Sequence, residues 1–112
     1  MKKIEAIIRP EKLEELREAL DGKGFSGMTV TEVKGRGAQK GITLEWRVGQ
    51  YKVEFLPKIK LELVVNDKDL KEVVSIISEV CKTGNIGDGK IFVSTVDEVI
   101  RISTGQIGQP AV

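Results

Sequence analysis

Val53-Glu54-Phe55-Leu56-Pro57-Lys58-Ile59-Lys60-Leu61-Glu62-Leu63-Val64-Val65 carries an apolar residue at every second position (Val53, Phe55, Pro57, Ile59, Leu61, Leu63 and Val65). That period of two belongs to a β-strand with one face buried. The intervening row is not purely polar, because Leu56 and Val64 interrupt it, so the second face is also expected to meet something. Pro57 has no N–H for a ladder and marks either a sheet edge or the point where a loop joins the sheet.

Outward from this strand the signals alternate. Asp67 is a fair N-cap, and Leu70, Val73, Val74, Ile77 and Val80 or Cys81 follow at helical spacing. A glycine-rich turn and an apolar run from Lys90 to Val96 predict a strand next. On the other side, Lys3 to Arg9 alternates, with Ile4, Ala6 and Ile8 on one face and Ile7 on the other. Pro10 suits a first helical turn, Leu13, Leu16, Ala19 and Leu20 form an apolar stripe, and Gly22 and Gly24 close that helix. The β-branched run Met28 to Val33 predicts the second strand. From Gly35 to Gln50 the pattern is lost, and so long an unpatterned segment in a small domain is characteristically functional or disordered. Trp46 and Tyr51 fall in or beside it, which suits partner binding. The tail from Gly105 to Pro110 reads as loose. Strand-helix-strand, long loop, strand-helix-strand gives two βαβ halves with helices on one side of a mostly antiparallel sheet, an α+β ferredoxin-like βαββαβ sandwich. The uncovered face predicts packing of sheet against sheet between subunits.

Composition narrows the function. A chain of 112 residues is one domain by length, too small for a deep pocket within one copy. Lys plus Arg number 18 and Asp plus Glu 17, for a net charge of +1, without the basic excess of a nucleic-acid or membrane-surface protein. Five aromatics (three Phe, one Trp, one Tyr) are too few for a base-stacking platform. There is no histidine and one cysteine, Cys81, which removes disulfide frameworks, zinc sites and Cys/His catalysis within one chain. Cys81 falls on the apolar side of its helix and is expected to be a buried, inert thiol. No signal peptide or membrane span is read, so a cytoplasmic protein is expected.

The chemistry concentrates in Thr83-Gly84-Asn85-Ile86-Gly87-Asp88-Gly89-Lys90. Glycines let successive backbone N–H groups turn toward one anion, and Lys90 adds a positive charge beside it. Gly84-x4-Gly89-Lys90 nearly spells a Walker A loop. However, Ile91 replaces the Ser or Thr that would hold magnesium, and a helix precedes the loop where a strand should. A helix-capping turn with Gly84 as the cap accounts for one glycine and not three.

Thr83-x3-Gly87-Asp88-Gly89-Lys90-Ile91-Phe92-Val93 resembles the C-terminal signature of the PII nitrogen-regulatory signal-transduction proteins. Lys2 to Pro10, Gly27 to Val30, Glu32 to Gly35, Gln39 to Gly41 and Phe55 to Lys58 also match, and the resemblance runs from Met1 to about Thr104. It implies a homotrimer of single domains spanning 1–112, with a T-loop at about 37–55, a nucleotide-binding B-loop at about 82–90 and a C-terminal segment at about 99–112. ATP or ADP would bind in clefts between neighbours, 2-oxoglutarate beside Mg-ATP, and the T-loop would dock on ammonium transporters or nitrogen-assimilation enzymes. By resemblance the nucleotide site takes in Ile7, Gly27, Met28, Thr29, Gly35, Arg36, Gly37, Ala38, Gln39, Lys58, Val64, Gly87, Asp88, Gly89, Lys90, Phe92, Arg101 and Ser103. Ile7, Thr29, Val64 and Phe92 would surround the base, and Arg101 would reach in from the adjacent subunit. Gln39 would be the side-chain ligand to Mg²⁺. Gln39, Lys40, Gly41, Leu56, Lys58 and Gly87 would hold 2-oxoglutarate, with Lys58 on its carboxylate.

Three departures from the family pattern bear on function. Ala38 and Ser103 stand where arginines are usual, a loss that Arg36, at a position often held by phenylalanine, would offset in part. Each lost charge-assisted hydrogen bond removes about 1.5–3 kcal/mol, so ATP binding, or its preference over ADP, is expected to be weakened. Trp46-Arg47-Val48-Gly49-Gln50-Tyr51 departs from the usual uridylylation context while keeping a tyrosine, Tyr51, as a modification site. Two other readings compete: a PII-like relative tuned to another effector and transporter, and a small phosphoryl-transfer enzyme of acylphosphatase type, in which Asp88 would orient water beside Lys90.

Overall fold

A computed structural model describes residues 1–37, 42–46, 49–53 and 55–112, with side chains for residues 1–37 and 55–112. Strands β1 (Lys2–Ile8), β2 (Thr29–Gly35), β5 (Leu56–Val65) and β6 (Lys90–Thr95) form one sheet in the order β2-β5-β1-β6, every pairing antiparallel. Helices α1 (Leu13–Asp21) and α2 (Leu70–Cys81) cover one face. This is the expected α+β ferredoxin-like arrangement.

The period-two reading is seen directly in burial. Ile4, Ala6 and Ile8 of β1 and Ile59, Leu61, Leu63 and Val65 of β5 point inward, and meet Leu16 and Leu20 of α1 and Val73, Ile77 and Cys81 of α2. Register places Ile4 opposite Leu63 and Ala6 opposite Leu61, so the two central strands supply adjoining rows of one core. The edge strands gain less cover: Val30, Phe92 and Val93 remain 43%, 52% and 46% exposed.

Pro57 is the second residue of β5 and pairs with Lys34 near the end of β2. It therefore marks the junction with the loop, because β5 is central and not an edge. The alternation beginning at Val53 spans two elements, for β4 (Gly49–Val53) ends there and β5 starts at Leu56. The segment read as unpatterned contains a hairpin, β3 (Ile42–Trp46) against β4, with Ile42 opposite Val53 and Trp46 opposite Gly49. Its backbone ladder is local and needs no burial of one face, which is why hydrophobic period did not reveal it.

Asp67 is not the helix cap. Asn66 precedes a single 3-10 turn, Asp67–Asp69, and neither it nor Asp69 makes a side-chain cap bond. The Asp67 carboxylate instead accepts from the Met1 ammonium at 2.7 Å, an exposed pair that holds its pKa below the usual range. The C-terminal tail is ordered as well. Ile100 bridges Ile107, Gly108 donates to the Val99 carbonyl at 2.9 Å, and the turn Gln109–Ala111 buries Ala111.

Cys81 is buried at the end of α2, and loss of water pushes its thiol up to about 11. The protonated form is the one the fold favours. Its contribution to stability is present below the unfolded value of about 8.5 and is lost as pH rises toward about 11. At pH 8 iodoacetamide is expected to label Cys81 at least about tenfold more slowly in the native protein than in urea. Equal rates would show the thiol to be accessible.

Candidate functional site

Helix α2 ends at Cys81, with Lys82 already extended (φ −72°, ψ 127°) as its cap. Gly84 is therefore not the cap. It takes φ +85°, and Gly87 and Gly89 take +99° and +102°, the left-handed region that side chains avoid. All three glycines of the loop are thus used for backbone shape. At Gly89 a methyl group would lie 1.7 Å from the Ile7 carbonyl oxygen, so the loop runs hard against β1 where the β1–β6 ladder begins at Ile7 and Lys90.

Two cations brace the loop to the sheet. Arg9 donates through Nη2 to the Ile86 carbonyl at 2.6 Å and through Nε to Asp88 Oδ1 at 3.2 Å. Lys58 donates through Nζ to the Gly87 carbonyl. Burial, and then the neighbouring Arg9 charge, lower the Lys58 pKa. Among the described residues, Lys58, Lys90 and Arg101 have no carboxylate within ion-pair distance. The amides of Gly87 and Gly89 likewise have no acceptor among the described residues. Lys58 and Lys90, beside the unpaired amides of Gly87 and Gly89, are the groups an anion at this loop would meet.

Gly35 joins this cluster, since a methyl there would touch Lys58 Cγ at 3.3 Å. Gly35 pairs with Leu56, so the two ends of the hairpin segment lie side by side next to Lys58. Arg36 lies over the Phe55 ring at 5.7 Å from its centroid. Ile7 sits on the open sheet face between Lys60 of β5 and Lys90 of β6, and Phe92 is one step further along β6 opposite Glu5.

The remaining site residues lie elsewhere. Gly27, Met28, Thr29 and Val64, with Lys3, Glu62 and Leu63, line a shallow pocket of about 180 Å³ at the other end of the sheet. Lys58 and Val64 are six residues apart on β5, roughly 20 Å at ~3.3 Å per residue. The Arg101 guanidinium donates to the Ala111 carbonyl at 3.4 Å and its backbone N–H to the Gln106 carbonyl at 2.9 Å, and Ser103 is exposed on the C-terminal turn. Ala38, Gln39, Lys40 and Gly41 lie outside the described residues, as does the side chain of Tyr51. Among the described residues no three His, Cys, Asp or Glu side chains converge on a metal position. No helix among them is long and apolar enough to cross a membrane.

Sequence reasoning gave Arg9 no role, and it missed the part Thr83 plays. Arg9 reaches Asp88 across 79 positions of chain, and only the β1–β6 pairing brings them together. A charged residue closing an inward-facing strand end, just before the helical Pro10, was the available signal.

A helix-flanked antiparallel sheet with a glycine loop at one end and a hairpin rooted beside it defines a small α+β domain of ferredoxin-like type. The family model described as Nitrogen regulatory protein P-II matches residues 1–106, and the chain belongs to that family. It is 59% identical over 112 residues to Nitrogen regulatory protein P-II 2 of Methanothermobacter thermautotrophicus, covering 100% of this chain and 97% of that one. It is 55% identical to Nitrogen regulatory protein P-II of Rhizobium meliloti and 54% identical to that of Pasteurella multocida, with both chains covered in full in each case.

Proposed function

We propose that this protein is a non-catalytic cytoplasmic sensor, one domain over residues 1–112, that binds ATP or ADP and 2-oxoglutarate with Mg²⁺ at seams between three copies. Its T-loop then engages ammonium transporters or enzymes of nitrogen assimilation. The observation that carries the reading is the separation of the two half-sites. The glycine loop with Lys58 and the Gly27–Thr29 pocket stand toward opposite ends of one sheet, so each offers part of a site and leaves its other side open. A neighbouring copy brings the far end of its sheet to the near end of this one. Exposed Phe92 and Ile102, the latter 99% exposed, supply apolar surface for such a seam.

In this reading the amides of Gly87 and Gly89 and the Lys90 ammonium hold phosphates, Gln39 completes the Mg²⁺ shell, and Lys58 takes the carboxylate of 2-oxoglutarate. Because Gly35 and Leu56 pin the root of the hairpin beside Lys58, a ligand there favours one arrangement of the loop over another. A phosphoryl-transfer role is disfavoured, because each oxygen of Asp88 is already taken by protein donors and orients no water.

The seam is tested by mixing. Lys58→Ala and Arg101→Ala chains are each expected to form trimers, three times the 12.3 kDa chain mass, that fail to bind 2-oxoglutarate with Mg-ATP. Co-refolded, they should regain binding at seams where intact halves meet. Failure of rescue in verified mixed trimers would place the site within one chain. With Ala38 and Ser103 in place of arginines, calorimetry should show ATP affinity about tenfold or more below that of relatives carrying both, or little preference over ADP. Micromolar or tighter ATP binding with strong discrimination against ADP would refute this.

A further inference from the structure

We propose that Asp88 is a positioning residue, whose carboxylate closes residues 83–88 into a preformed ring and so sets the amides of Gly87 and Gly89 for phosphate. The inference rests on the nucleotide-binding reading above and assigns this side chain a task other than touching the ligand. A bare carboxylate beside a polyphosphate would repel it. Here Oδ2 accepts from the Thr83 amide at 2.8 Å and the Gly84 amide at 2.9 Å, while Oδ1 accepts from the Thr83 hydroxyl and from Arg9 Nε at 3.2 Å. The Thr83 hydroxyl in turn accepts from the Asn85 amide at 3.2 Å.

These bonds pull the carboxylate back toward the end of α2. Gly87 and Gly89, on either side of it, keep amides with no acceptor among the described residues. The donors, the Thr83 hydroxyl first, hold the Asp88 carboxyl well below the usual carboxylate range, so it stays ionised at any physiological pH. Three glycines in six residues would otherwise leave this segment with a large conformational entropy to lose on binding. The clasp removes that freedom before the ligand arrives, and pre-organisation of this kind appears as affinity.

Asp88→Asn places an amide NH₂ where the Thr83 and Gly84 donors point. The variant and wild type are titrated calorimetrically with adenosine, ADP and ATP, and backbone hydrogen exchange is followed without ligand. ADP and ATP affinities are expected to fall about tenfold or more, with adenosine affinity changed less than about twofold. Exchange at Thr83 and Gly84 should quicken at least about tenfold, while Ile77 in α2 is unchanged. Thr83→Val removes one donor and no charge, and is expected to give an intermediate loss of about threefold for ATP. Unchanged ATP affinity in both variants, or equal loss of adenosine and ATP, overturns the inference. A wild type that binds no adenine nucleotide defeats the nucleotide reading instead, and the exchange rates then still report whether the clasp exists.

Discussion

Gly89→Ala is expected to lose both nucleotide binding and several degrees of thermal stability. A φ of +102° costs an alanine about 1–3 kcal/mol by itself. The larger effect is steric, because the new methyl would sit 1.7 Å from the Ile7 carbonyl oxygen and 2.8 Å from its carbon. Both are backbone atoms at the start of the β1–β6 ladder, so relief requires peeling the Ile7–Lys90 pair. That shift carries Lys90 and the Gly87 amide away from where an anion would sit. At about 4 °C per kcal/mol for a domain of this size, the melting temperature should fall by roughly 10 °C or more. Gly84→Ala is the matched control. It has a similar φ of +85° but nothing within 4 Å, so only the smaller conformational cost applies. Thermal unfolding followed by circular dichroism and nucleotide calorimetry on both variants checks the contrast, and equal behaviour of the two would contradict it.

Lys58→Ala should behave in the opposite way, with ligand response lost and the fold little changed. Lys58 is partly desolvated and faces Arg9, both of which disfavour its charge, and its hydrogen bond is to a loop carbonyl and not to an acid. Removing it relieves that repulsion and costs one bond. A bound dicarboxylate, by contrast, would lose a charge-assisted partner worth about 1.5–3 kcal/mol, so 2-oxoglutarate affinity should drop by at least about tenfold, with the melting temperature within a few degrees. The sign of the pH effect follows from the same geometry. Only the ammonium form attracts the carboxylate, and its pKa in the free protein is lowered. Binding is therefore full below that value, takes up protons near it, and weakens as pH rises through it. Calorimetry in two buffers of different ionisation enthalpy reads the proton uptake. A Lys58→Ala protein that binds 2-oxoglutarate normally would remove this residue from the site.

Much of this was legible in the chain. The alternation through Ile59, Leu61, Leu63 and Val65 and the stripes of the two helices set out the sheet and its cover, since burying one face leaves a periodic trace. The three glycines before Lys90 pointed to backbone chemistry, and each now has a positive φ to account for it. What the chain concealed depends on contacts that leave no period. The hairpin of β3 and β4 is held by backbone pairing, the C-terminal turn by a few carbonyl bonds, and Asp67 by the chain's own amine. Arg9 acquires its place only through the β1–β6 pairing. Most telling is the division of the site residues between two ends of the sheet. A sequence lists Thr29 and Lys58 without their separation, and it is the separation that motivates the proposal of a second copy.

The most direct test is calorimetric titration of the wild-type protein with 2-oxoglutarate, once alone and once with saturating Mg-ATP. Binding only when Mg-ATP is present is the predicted result, because in the proposed site the nucleotide and its metal would complete the seat beside Lys58. Binding without nucleotide, or none under either condition, would contradict the account.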